Sequence, residues 1–359
     1  MKKVKKVLAI VLTVVLMAGL FAGCGSSQED TNAAEVKDTA NNAEDSKSAG
    51  AENKSTAVKK DMKDITIGLS MKTLSAPYFA AQMNAAKKKC EELGVKFIGL
   101  DAQGQMSKQI ADVEDLIARQ VDIILLNPTD PKGMVPATKA AKKAGVPVII
   151  IDSSIDPSAD FITTVQSNNL ENGKLVGDWL GSQMKGKAIK MAVLSGEQGN
   201  PAGENRRNGV FWGLTEYQLR EEGKAGFEIV AQGWGNWANE GGLKAMEDIL
   251  VAHPDINVLV TENDSMALGA IKAIEAAGKK NDILIAAAAD GQKEAYALIK
   301  EGEYGATGMN DPALVATTGV ETAIKVLNGE TDFPKVYYTQ PMCITKENVD
   351  KYYRADADF

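Results

Sequence analysis

The sequence predicts an α/β fold of two similar lobes, each built on an open parallel sheet. Three observations carry that prediction. From Ile65 onward, short β-rich runs alternate with helical stretches of about 10–15 residues, the signature of right-handed βαβ units. The run 122–127 has an unbroken apolar centre, Ile-Ile-Leu-Leu at 123–126, as in strands covered on both faces. The rhythm restarts after about Ser167, and 359 residues are enough for two domains of ordinary size.

The chain opens with an address. Residues 1–23 have the parts of an export signal: Lys2, Lys3, Lys5 and Lys6, then an apolar run from Val7 to Phe21, then Ala22-Gly23. The run is shorter than the roughly 20 residues of a spanning helix. Cys24, directly after Ala-Gly, resembles the cysteine of the bacterial lipobox, which is acylated and becomes the new N-terminus. Phe21 stands where that motif more often has leucine. Residues 24–60 read as a disordered polar tether: without an aromatic residue they bury too little apolar surface to offset their ordering entropy.

The folded part follows in order. Strand 65–70 leads to helix 77–93, with Phe79, Met83 and Ala86 on one face. Then come strand 95–100, helix 105–119, strand 122–127, helix 134–144 and strand 146–151. The second half reads helix 170–184, strand 188–194, helix 204–222, strand 227–232, helix 241–251 and strand 258–261. Helix 265–277, strand 283–288, helix 293–301 and a short strand 306–309 complete it. Trp179 and Trp212 sit inside helical patterns and read as core. Cys90 and Cys343 read as buried free thiols rather than a disulfide.

Ligands of such sheets sit outside the carboxyl ends of the strands, so function is sought there. Those ends carry Tyr78-Phe79, Asp152-Ser153, Glu204-Asn205, Trp234, Trp237, Glu262-Asn263-Asp264, Asp290 and Asn310-Asp311. Carboxylates accept from adjacent hydroxyls, amides donate and accept, and flat rings suit the C–H faces of a sugar. Each residue also has a plainer role open to it. Asn263 and Asp290 are equally good helix caps, Asp264 before Ser265 reads as a cap or turn, and Tyr78 and Phe79 would also serve as core.

Composition excludes several classes. The formal charge is −8, and loss of four lysines and no acids with the first 23 residues takes it to −12. That surface repels nucleic acid. A single histidine, His253, leaves little for metal ligation or general acid–base catalysis, and no cofactor is called for. No nucleophile elbow or P-loop is present, and the Gly196–Gly199 loop lacks dinucleotide spacing and reads as a plain turn. The chain is read as a binding protein and not an enzyme.

Longer motifs narrow this further. Asn127-Pro128-Thr129-Asp130, Ile151-Asp152, the run Glu262 to Ala270, Asp290-Gly291, Gly319 to Ala323 and Leu327 to Glu330 resemble the periplasmic sugar-binding proteins of the ribose-binding type. The likeness covers about residues 62–345 in order. It implies the type I periplasmic binding fold: a first lobe of 61–166 plus 311–339, a second of 167–310 plus 340–359, and a three-segment hinge near Ser167, Asn310 and Thr339. It implies ligand contacts at Tyr78, Phe79, Asp152, Ser153, Glu204, Asn205, Trp237, Asn263, Asp290 and Asn310. It further implies a monomer that delivers a sugar or polyol to the permease of an ABC importer outside the cytoplasm, and the lipobox-like leader implies that this monomer is held to the cell membrane through Cys24. A receptor-presenting sensor and a nucleoside binder share the same chemistry. A lactose-repressor-type regulator shares the fold but has a DNA-binding helix-turn-helix where this chain has an export signal. Against the family pattern, one arginine is Ser153 and a second aligns with Glu204 or Asn205. Two lost arginines predict an acidic pocket that favours a ligand other than ribose, an amino-bearing sugar included.

Overall fold

The computed structural model describes residues 60–359, so the export signal, Cys24 and the tether up to residue 59 lie outside the described residues. Lys60 pairs with Asp122 at the start of the first lobe.

The first sheet grows from β1 (Thr66–Met71), α1 (Pro77–Leu93), β2 (Lys96–Asp101), α2 (Met106–Ala118), β3 (Ile123–Leu126), α3 (Val135–Lys143), β4 (Val148–Ile151) and β5 (Thr164–Ser167). Helix α1 begins with Pro77 in its first turn, where a missing N–H costs nothing, and stops at Gly94 with φ of 69°. Strands β3 and β4 are buried along their whole length. Ile123 and Leu125 face one apolar layer while Ile124 and Leu126 face the other, so helices must cover both sides. Each such Ile or Leu contributes about 1.5–3 kcal/mol of burial.

The second sheet repeats the plan with α4 (Asn169–Gln183), β6 (Lys190–Ser195), α5 (Pro201–Glu222), β7 (Glu228–Trp234), α6 (Asn239–Ala252), β8 (Val258–Thr261), α7 (Asp264–Ala276), β9 (Leu284–Asp290), α8 (Lys293–Glu301) and β10 (Ala306–Met309). The chain then returns to the first lobe as α9 (Pro312–Leu327) and β11 (Val336–Thr339), and ends in the second with β12 (Cys343–Thr345). The orders are β11-β5-β4-β3-β1-β2 and β12-β10-β9-β8-β6-β7. Every pairing is parallel except β12 against β10. The order reverses at β1 in one sheet and at β6 in the other, which opens a crevice at the carboxyl ends of each.

The chain crosses between sheets after β5, β10 and β11, and one buried side chain gathers the three crossings. Asn172 Nδ2 donates to Met309 O (2.7 Å) and Ser167 Oγ (2.9 Å), and its Oδ1 accepts from Met342 N (3.0 Å). Strands β5, β11 and β12 and helix α9 have no counterpart in the element-by-element reading of the sequence.

Trp179 packs against the second lobe's core. Trp212 does not: it is 47% exposed, with Lys174 Nζ 5.1 Å from its ring centre. Glycines take the buried seam of α5 instead, which turns Trp212 outward. Cys90 and Cys343 are free thiols, and burial pushes both up to about 12.

Candidate functional site

Four of the sequence-predicted residues meet in one hydrogen-bonded chain. The Tyr78 hydroxyl, from the first turn of α1, lies 2.7 Å from Asp152 Oδ1 beyond β4 and 3.0 Å from Asn310 Oδ1 beyond β10. A phenol has one proton, so the two contacts share it as a three-centre bond in which the shorter one, to the carboxylate, is the stronger. Asn310 is oriented by its own donation, Nδ2 to Asp290 Oδ1 at 3.1 Å. Asp290, at the end of β9, pairs with Arg206 Nη2 at 2.9 Å. The chain thus runs from the first lobe through the hinge into the second.

The first-lobe end is braced from behind. Asn127 Nδ2, beyond β3, donates to Asp152 Oδ2 (3.3 Å), and its Oδ1 accepts from Ser153 Oγ (3.2 Å). Lys72, the residue after β1, brings its ammonium to 3.3 Å from Ser153 Oγ and 4.4 Å from the Phe79 ring centre. Phe79 packs against the core and meets Tyr78 edge-on at 5.3 Å, so its role is partly structural. Asp152 holds φ of 64°, a left-handed backbone unusual for a residue with a side chain. Such strain costs of order 1–3 kcal/mol and collects at functional sites.

In the second lobe Arg206 is the organiser. Its Nε donates to Asn169 Oδ1 (2.8 Å) and its Nη1 to Glu262 O (2.9 Å), so all three nitrogens have acceptors. Its position follows from how α4 and α5 touch. A Cβ on Gly173 would lie 2.2 Å from Arg206 O, and one on Gly213 2.0 Å from Lys174 O. Only glycine permits this approach, and Arg206, three residues before Gly209, shares the buried face.

The Arg206 guanidinium carbon lies 5.6 Å from the Trp237 ring centre. Trp237 (φ 61°) and Asn236 (φ 49°) are both left-handed. The Trp237 ring lies over Gly196, where a Cβ would come within 2.0 Å, and Gly196 N donates to Glu262 Oε2 at 2.8 Å. The Gly196–Gly199 loop is the turn the sequence suggested, and its first glycine also serves as the platform for the ring. Asn263 caps α7 through Oδ1 to Met266 N and donates from Nδ2 to Trp237 O, which fixes the Trp237 loop. Asp264 is also structural: Oδ2 accepts from the backbone N–H groups of Asp290, Gly291 and Gln292, and Oδ1 from Tyr304. It holds the turn that presents Asp290.

Glu204 and Asn205 are not brought to this chain of contacts. Both are exposed on α5, and Glu204 makes only a loose pair with Arg207 at 3.8 Å. The expected loss of two arginines is corrected for one of them, since the first position remains Ser153. Arg206 supplies the second-lobe guanidinium, and Lys72 places a cation beside Ser153. Arg206 pairs with Asp290 and Lys72 stands beside the residue after Asp152, so the site holds cations as well as carboxylates and is not the acidic pocket that would select an amino-bearing sugar. Burial raises the Asp290 carboxyl above the usual carboxylate range, with Arg206 opposing it. The Tyr78 hydroxyl is held well above the usual phenol range, first by burial and then by Asp152, and stays a proton donor.

The profile of the periplasmic binding protein domain family matches residues 67–331. The ribose import binding protein RbsB of Bacillus subtilis (strain 168) is 37% identical over 268 residues, 75% of this chain and 83% of that protein. The chain belongs to the periplasmic binding protein family, of the ribose-binding type. Solved members of this family superpose on it closely. One is an ABC transporter solute-binding protein from Actinobacillus succinogenes 130z with bound D-allose. It has a TM-score of 0.73 and 31% identity, covering 80% of this chain and 100% of that one. Another, from Bacillus halodurans C-125 with bound myo-inositol, has a TM-score of 0.71 and 29% identity over 83% and 99%. The two parallel-sheet lobes of this periplasmic binding protein are the type I fold.

Proposed function

We propose that this protein captures a sugar or polyol between its lobes, outside the cytoplasm, and delivers it to the membrane permease of an ABC importer. The observation that carries the reading is the chain Asp152–Tyr78–Asn310–Asp290–Arg206, which joins both lobes through groups suited to hydroxyls. Asp152 and Asp290 accept from neighbouring ring hydroxyls, Asn310 Oδ1 accepts another, and Arg206 donates. Trp237, Tyr78 and Phe79 offer flat faces to ring C–H groups. A ligand that touches both lobes only when they are closed shifts the population to the closed form, which the permease recognises.

Relatives that bind ribose, D-allose and myo-inositol support the ligand class. Acylation of Cys24 would hold the folded part near the membrane on its polar tether. A thermal-shift screen with D-ribose, D-allose, myo-inositol and nucleosides tests the ligand. Stabilisation by a sugar or polyol of about 4 kcal/mol at about 1,000 times Kd is expected. A response to nucleosides alone would contradict it. Cys24→Ala is expected to move the protein from the membrane fraction to the soluble one, and unchanged membrane association would contradict the anchor.

A further inference from the structure

The segment after β12 reaches back across both lobes to the ring at the centre of the site. Its root is in the second lobe: Tyr352 and Tyr353 pack on that lobe's core, and Lys300 Nζ lies 4.8 Å from the Tyr353 ring centre. Further along, Lys293 Nζ, in the first turn of α8, donates to Ala357 O at 2.6 Å. The next two residues contact the first lobe. Asn84 Nδ2 of α1 donates to Asp358 Oδ2 at 3.4 Å, and Phe359 meets the Tyr78 ring edge-on, with centres 5.4 Å apart and planes at 89°.

We propose that Phe359 is a positioning residue for the ligand site, acting through Tyr78, and that 354–359 is the strap that carries it. This rests on the sugar-binding reading above. The Tyr78 ring has two edge-on phenylalanine neighbours. Phe79 belongs to the same helix and moves with the first lobe. Phe359 arrives from the second lobe, so its contact forms only when the lobes stand in this relation. Edge-to-face pairs contribute beyond simple burial, and this one fixes the ring whose hydroxyl joins Asp152 to Asn310.

Hydrogen exchange of the sugar-free full chain tests the strap without reference to any ligand. Phe359→Ala and Lys293→Ala are each expected to raise exchange several-fold in peptides covering 77–84, with no change in β8 or β9. Phe359→Tyr, which keeps the ring, should stay near wild type. Unchanged exchange at 77–84 in both alanine variants overturns the proposal, as does an equal rise throughout the protein. The second arm titrates D-ribose, D-allose and myo-inositol. For any that binds wild type, Phe359→Ala should weaken Kd about five- to tenfold through faster dissociation. An affinity within twofold overturns the role in binding. Absence of binding by wild type to all three would count against the sugar reading, while the exchange result still decides the strap.

Discussion

Arg206 Nη2 stands 2.9 Å from Asp290 Oδ1, and both side chains are more than nine-tenths buried. The pair joins α5 to the end of β9, and Asn310 ties it to the hinge. Little water reaches it, so the attraction between the two charges is screened less than in an exposed pair.

Arg206→Ala leaves Asp290 buried without its cation. A loss of about 3–5 kcal/mol in urea unfolding is expected, together with loss of ligand binding. Arg206→Lys keeps the charge but not the three-way fork to Asn169, Glu262 O and Asp290, and should recover stability only in part.

Tyr78→Phe keeps both edge-on ring contacts and removes only the proton that Asp152 accepts. The expected cost is about 1 kcal/mol, read as a melting point lower by about 2 °C in the sugar-free protein. No change would mean that the hydroxyl bridge does not form in solution.

The raised Asp290 carboxyl takes up a proton at milder acidity than an ordinary carboxylate. Sugar affinity is therefore expected to fall on acidification as Asp290 becomes neutral, at a milder pH than an ordinary carboxylate would require. The sign for stability is opposite. A carboxyl whose folded-state pKa is raised contributes stability that is full below its unfolded value and is lost as pH rises through the folded one. Asp290's own contribution thus improves on acidification while binding weakens, and calorimetry beside circular dichroism separates the two.

Gly177→Ala places a methyl 2.1 Å from Val210 O, where backbone cannot yield without parting α4 from α5. A loss of about 1–3 kcal/mol is expected, with weaker ligand binding because Arg206 rides on that seam. Binding and stability both unchanged would contradict the account of how Arg206 is positioned.

Much of this was legible in the sequence where burial alone decides structure. Runs such as 123–126 and 148–151 are apolar on every residue and could only be strands covered on both faces. Strands β5 (Thr-Val-Gln-Ser) and β11 (Val-Tyr-Tyr-Thr) have four residues each and mixed polarity, and they pair with each other from distant parts of the chain. No local pattern marks such a pairing. Asp152, Asp290, Asn310 and Tyr78 were marked as site candidates because they lie at or beyond strand ends. Arg206 was not, since successive residues from 204 to 207 point about 100° apart on a helix and only packing selects one. The signal was there in Gly209 and Gly213, four apart, with Arg206 three before Gly209 on the same face. Lys72 escaped because its partner, Ser153, is 81 residues away.

The most direct test of the central claim is a calorimetric titration of wild type and Asp290→Ala, using whichever of D-ribose, D-allose and myo-inositol stabilises the protein most. The account predicts one site per chain in wild type and a Kd at least about tenfold weaker in the variant, since a charge-assisted acceptor is lost. An affinity within about twofold of wild type, or no sugar binding in a protein that takes up a nucleoside or an amino acid, would contradict it.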